Sequence, residues 1–199
     1  MNKLVQVIIH FKKKGLLRFL SAIETSNAII RTLNRSGLDM EFSEGFHPLP
    51  KVSFLDSTAT GVIDLALYVM VKLRNEQRID HLIESIRKNL PNGLEVQNIF
   101  ESEVNLNKIV DKYKYMLFFK DKPNFEKPLK KHSGKVFIPA EIIDNLTVTL
   151  KKDLFVVKYT ISKDKVFNPY LLDNIYLAVR TNALISGEDV SKILGGQII

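Results

Sequence analysis

The side chains with chemistry to offer are few. Four histidines (His10, His47, His81 and His132) lie far apart and lack HxH or HxxxH spacing, so a metal site is not expected. There is no cysteine, which excludes disulfides, thiolate zinc sites and an iron–sulfur cluster held by this chain alone. No Gly-rich phosphate loop or nucleophile elbow is present, no carboxylate pair stands out, and no cofactor is implied. What remains is cation chemistry in two places. Arg18 precedes a helix, and His47 and Lys51 flank a proline-stiffened loop; brought together near a helix N-terminus, the three would suit a phosphate. Lys112, Lys114 and Lys120 interleave with Tyr113 and Tyr115, a composition that pairs phosphate contacts with base stacking. The tyrosines share their alternation with Leu117 and Phe119, however, and core is their expected fate.

The loop itself, in EFSEGFHPLPKVSF (41–54), reads as structural in its apolar and small residues. Gly45 would supply a φ that side chains resist, and Phe46 would plug the core beneath. Pro48 and Pro50 would hold the chain extended.

Charge is unevenly placed. The net +7 divides into 13 basic and 12 acidic residues over 1–105, against 16 and 10 over 106–199. Residues 108–135 alone hold nine lysines and three acidic residues, which accounts for the excess of the second half. Such a patch suits a phosphate backbone or an acidic partner.

The elements that must position these residues are legible from periodicity. Over residues 4–11, Val5, Val7, Ile9 and Phe11 alternate as a first strand rather than a signal peptide. Ser21 and Glu24 form a capping box, Ile23, Ile30 and Leu33 mark a helical face, and Gly37 stops the helix. Short strands are predicted near 38–43 and 51–55, a longer one at 65–73, a helix from Ile79 to Leu90, and a strand at 94–100. This order predicts an α+β protein whose residues 1–105 form a ferredoxin-like, split βαβ domain. Residues 106–199 are expected to be a second small α+β domain. It would hold a strand from Tyr113, a loop or short helix over 123–133, and a hairpin turning at Lys151-Lys152-Asp153. A helix is predicted from Asn168-Pro169 to about Val179, and Ser186 to Asp189 would cap a final short one.

Two adjoining blocks carry a family resemblance. Arg18-Phe19-Leu20-Ser21, the helix end at Arg35 and Gly37, and then Ser43, Gly45, Phe46, Pro48, Pro50, Lys51, Ser53, Phe54 and Gly61 together resemble the radical-SAM-linked protein family. Two positions depart from its pattern: Ala22 stands where the family has histidine, and His47 where it has asparagine. If the family's histidine does chemistry, this chain cannot do the same. The resemblance implies an accessory domain, of no assigned activity, that works beside a cobalamin-binding radical S-adenosylmethionine (SAM) enzyme. Without cysteine this chain cannot be that enzyme.

The expectation is therefore a cytoplasmic accessory module without a membrane role, which binds RNA or another anionic ligand rather than catalysing. Its expected partners are RNA and a radical SAM enzyme. Two other classes stay open: a protein–protein adaptor on that enzyme, and an RNA-processing or RNA-modifying enzyme using Arg18 and His47.

Overall fold

A computed structural model describes residues 5–131 and 133–195. His132 lies outside the described residues, as does the predicted start of the first strand at residue 4. The first half runs β1 (Val5–Lys13), α1 (Ala22–Arg35), β2 (Val52–Phe54), β3 (Ile63–Leu73), α2 (Ile79–Asn89) and β4 (Leu94–Glu101). The second half runs α3 (Leu106–Ile109), β5 (Lys112–Phe119), β6 (Leu129–Lys130), β7 (Val136–Phe137), β8 (Ile143–Lys151), β9 (Leu154–Ser162), β10 (Ile175–Ile185), β11 (Glu188–Asp189) and α4 (Val190–Gly195). The fold is mixed α+β, built on one large mixed sheet.

The main path of that sheet is β4-β1-β3-β10-β5-β9-β8, and it crosses from the first half to the second without a break. The predicted strands of the first half do share it: β1 pairs antiparallel with both β3 and β4. The junction is parallel, with Val179 beside Ile63 and Arg180 beside Asp64. β2 pairs with β3 farther along, from Val52↔Val71 to Phe54↔Val69.

The sheet has a different cover on each side. Val7, Ile9, Phe11, Leu67, Val69 and Val71 point to the side where α1 and α2 lie, and form one core with Ile29, Leu33, Leu82 and Ile86. Ile8, Tyr68, Met70, Tyr113, Tyr115, Leu117 and Phe119 point to the other side, where they meet Leu106, Phe125, Phe167, Val190 and Leu194. The alternation read in the sequence is thus the alternation between two cores.

Helix α1 has the capping box expected of it: Ser21 Oγ accepts from Glu24 N at 3.3 Å, and Glu24 Oε2 accepts from Ser21 N at 2.8 Å. Its buried stripe is Thr25, Ile29, Thr32 and Leu33, whereas Ile23 is 75% exposed. Hydroxyls can lie on a core face because they bond back to carbonyls one turn earlier. Thr25 donates to Ser21 O and Thr32 to Ala28 O.

Two predicted elements need correction. Residues 38–43 contribute only the single bridges Met40↔Leu73 and Phe42↔Pro50. Of the two readings for 123–133, the structure takes the loop over 123–128, which runs into β6. The helix predicted from Asn168 ends after one 3₁₀ turn, Pro169–Leu171, and the chain becomes β10. Asn168 does cap that turn, its Oδ1 accepting from Tyr170 N at 3.1 Å. The Asn-Pro start was read correctly, but the β-branched and aromatic run Ile-Tyr-Leu-Ala-Val won the residues that follow for the sheet.

Candidate functional site

The residues singled out from the sequence do not gather. Arg18 sits in the 3₁₀ turn Gly15–Phe19, where its carbonyl accepts from Gly61 N at 2.7 Å beyond the start of β3. Its guanidinium lies 4.4 Å from the centre of the Phe19 ring and donates to Gly15 O at 3.3 Å. Lys51 is at the opposite end of β3, its carbonyl accepting from Lys72 N at 3.1 Å. The eleven residue-to-residue steps from Gly61 to Lys72 correspond to roughly 35 Å of extended strand. His47 is exposed and only three residues from Pro50, a reach of about 10 Å, so it cannot close that gap. Lys51 also has a carboxylate of its own, Glu41.

The loop is a short excursion closed by Phe42↔Pro50 and by Ser43 N donating to Leu49 O at 2.8 Å. Gly45 does take a positive φ, +125°. Phe46, expected in the core, is instead fully exposed at 102%. A loop this short, projecting from a sheet edge, has no apolar wall beneath it to receive a ring. Pro48 is exposed and Pro50 half-buried.

On β5 the alternation decides every role. Tyr113 and Tyr115 are buried and unavailable to stack on bases. Lys112 reaches Asp144 at 2.8 Å. Lys120 lies 5.9 Å from the centre of the Tyr176 ring. Lys114 is exposed and makes no ion pair among the described residues. Beside it on the neighbouring strand is Lys158, also exposed and without an ion pair there, through the register Lys114↔Thr160 and Met116↔Lys158. These two lysines, with Asn145, Thr147, Thr160, Thr181 and Asn182, surround a shallow concavity of about 520 Å³ that no carboxylate lines. It lies on the helix side of the sheet, since Met116 pairs with Val179 and Val179 with Ile63, but the core under α1 and α2 takes no residue from β5, β9 or β10. The sheet is bare there.

The opposite side of the same strands carries two further hollows, and the sequence reading missed them. Arg180 on β10 is 1% exposed and forms a fork with Asp64 on β3, at 2.9 Å from Nε and 2.6 Å from Nη2. Its Nη1 donates to Asp56 O at 2.6 Å, and its guanidinium lies 4.8 Å from the centre of the Tyr113 ring. Burial works against the charge, but Asp64 more than offsets it and the Arg180 pKa rises. Tyr113 donates to Asp56 Oδ2 at 2.6 Å, and Lys163 Nζ lies 3.5 Å from the same oxygen. Asp56, Tyr113, Lys163 and Arg180 line a hollow of about 500 Å³.

Through Ser57 and Val166 that hollow adjoins a larger one of about 860 Å³, whose polar wall includes Thr58, Tyr115, Lys130, Lys131, Ser133 and Asn168 and whose apolar wall includes Phe167 and Leu171. Thr58 Oγ1 is buried there with no hydrogen-bond partner among the described residues. Leaving a hydroxyl so costs about 1–3 kcal/mol. Burial raises the Tyr115 pKa to about 12, so its hydroxyl is protonated at neutral pH. The available signal was the small, hydroxyl-rich run Asp56-Ser-Thr-Ala-Thr-Gly61 between two strands, which carries no motif and is easily read as a linker.

Among the described residues no group of histidine, aspartate and glutamate could hold a metal ion, and no helix is long and apolar enough to cross a membrane. Taken together, the molecule is an α+β protein with a lysine-bearing concavity on each side of one sheet that no described carboxylate lines. The chain belongs to the family described as uncharacterized protein conserved in bacteria (DUF2344), whose model matches residues 6–168. That match covers β1 to β9 and names no reaction, ligand or partner. No curated protein matches the sequence.

Proposed function

We propose that the protein is an RNA-binding accessory module that holds phosphates on its bare sheet face and performs no chemistry there. The observation that carries this reading is the pair of exposed lysines, Lys114 and Lys158, on neighbouring strands in one concavity, with no ion pair and no lining carboxylate among the described residues. With Tyr113 and Tyr115 turned into the core, base stacking is lost from the mechanism, and contact through the backbone alone favours binding that ignores sequence. The resemblance at residues 16–61 supplies the context, a radical SAM enzyme as partner. The ferredoxin-like reading of residues 1–105, as a domain apart from 106–199, belongs to the same proposal. The order β4-β1-β3-β2 with α1 and α2 on one side supports it.

One observation favours the adaptor reading as the second choice. β8 ends the sheet, and along it Leu146, Val148 and Leu150 are 40%, 44% and 64% exposed. An uncovered strand edge with an apolar stripe is a surface that another chain can extend.

Salt dependence separates the two. Binding of a single-stranded RNA should weaken linearly in log K against log salt, each neutralised phosphate contributing about −0.7 to the slope. Lys114→Gln with Lys158→Gln should flatten the slope by about 1.4 on the same basis and leave the melting temperature unchanged. A parent protein that shows no salt-dependent RNA binding, yet captures a radical SAM enzyme at high salt, would overturn the RNA reading in favour of the adaptor.

A further inference from the structure

The hollow behind the bare face has a property the face lacks: a donor held ready and unused. Thr58 is 8% exposed, its Oγ1 is buried, and no described group bonds to it. Buried hydroxyls in folded proteins nearly always find partners. Thr58 also lines the cavity, and an unpartnered buried hydroxyl in such a wall marks a position where an acceptor belongs.

The groups around it agree on the kind of acceptor. Ser57 is exposed beside Thr58 on the same loop. Tyr115 lines the wall and its hydroxyl donates to no described group. Asn168 spends its Oδ1 on Tyr170 N, which leaves its amide hydrogens for the cavity. Across the opening Lys130 has no ion pair among the described residues. Lys131 commits one donor, to Val166 O at 3.1 Å, and keeps the others.

Among the described residues no carboxylate lines this cavity. Asp56 and Asp164 face the adjoining hollow, where Asp56 is held by Tyr113 and Lys163. A wall of hydroxyl, amide and ammonium donors with no competing anion fits a small, doubly charged oxyanion. The remaining wall is Ser133 with the apolar Ala59, Val166, Phe167 and Leu171, so the ligand also carries an organic body. A volume of about 860 Å³ is ample for both parts.

We infer that this cavity binds a phosphate monoester of nucleotide size. Thr58, Ser57, Lys130 and Lys131 take the phosphate, and the organic body packs on Phe167 and Leu171. The site uses the opposite side of the sheet and different lysines from the proposed RNA face, so it stands without that reading. Two sources share the chemistry: a free mononucleotide, and the 5′-phosphorylated end of an RNA strand.

Calorimetric titration with AMP, adenosine and inorganic phosphate tests it on the full chain. AMP should bind at least 10-fold more tightly than adenosine and more tightly than phosphate alone. Lys130→Gln with Lys131→Gln should weaken AMP at least 10-fold. Thr58→Val should weaken it several-fold while the melting temperature stays equal or rises, because the hydroxyl it removes bonds to nothing in the protein. Lys114→Gln with Lys158→Gln should bind AMP like the parent, which keeps a failure of the RNA face distinct from a failure here. A short RNA with a 5′-phosphate that outcompetes its 5′-hydroxyl twin for the cavity assigns the strand end; equal competition, with AMP still bound, assigns the free nucleotide. Equal affinity for AMP and adenosine overturns the inference. So does the absence of heat with both AMP and phosphate at millimolar concentration, or parent-like AMP binding by the Thr58 and lysine variants.

Discussion

The covered and the bare halves of the sheet differ in how their strands are written. β3, sandwiched between two cores, reads Ile-Asp-Leu-Ala-Leu-Tyr-Val-Met-Val-Lys-Leu and is buried at nearly every position from Asp64 to Val71. β5 reads Lys-Tyr-Lys-Tyr-Met-Leu-Phe-Phe, and its tyrosines, Leu117 and Phe119 are buried while the residues between them are partly or fully exposed. A strand covered on both faces becomes a continuous apolar run, and one covered on a single face alternates. The difference teaches where a ligand can lie. The covered half leaves no sheet surface for one, and the bare half presents lysines on one face and walls a cavity with the other.

The comparison breaks most severely at the junction. Arg180 and Asp64 join β10 to β3 with both side chains 1% exposed. Arg180→Ala strands a buried carboxylate, and a loss of about 3–5 kcal/mol is expected by urea denaturation. The double replacement Arg180→Met with Asp64→Leu should recover much of it, since an apolar pair has no charge to desolvate. A single replacement that costs less than about 1 kcal/mol would mean the two halves do not depend on this pair.

A smaller effect sharpens the covered half. His10 on β1 stacks on Tyr68 at 4.3 Å between ring centres, and its Nε2 lies 2.8 Å from Leu65 O. Burial lowers its pKa below the ordinary 6.5, with the Leu65 carbonyl opposing. The unfolded chain therefore takes up a proton near pH 6.5 that the folded chain resists. Stability should fall as pH drops below that value, until the lowered folded pKa is reached. In melts between pH 7.5 and 5, His10→Gln should show a shallower decline than the parent. Equal slopes would place the acid sensitivity elsewhere.

The smallest effect concerns the loop. Phe46→Ala should change stability by no more than about 0.5 kcal/mol, because the ring touches no core. A melting temperature several degrees lower would return Phe46 to the structural role read from sequence.

Much of the fold was legible before any coordinates. The spacing of Val5, Val7, Ile9 and Phe11 and of Ile79, Leu82, Ile83 and Ile86 marked a strand and a helix, because backbone geometry sets those periods locally. Ser21 and Glu24 marked a helix start for the same reason: both partners of the capping box lie within one turn. The burial of Tyr113 and Tyr115 followed from the alternation of their own strand. The site was another matter. Arg18 and Lys51 would have made one site only if the fold brought them together, but they are held at opposite ends of β3 by its register with the turns around it. Thr58, the adjacent Lys130 and Lys131, and Asn168 are brought to one cavity from three separate segments. Arg180 meets Asp64 only because β10 pairs with β3, 116 residues away. Local periodicity is written within a few residues. A wall assembled from distant segments depends on the packing of the whole chain, and only the tertiary structure decided it.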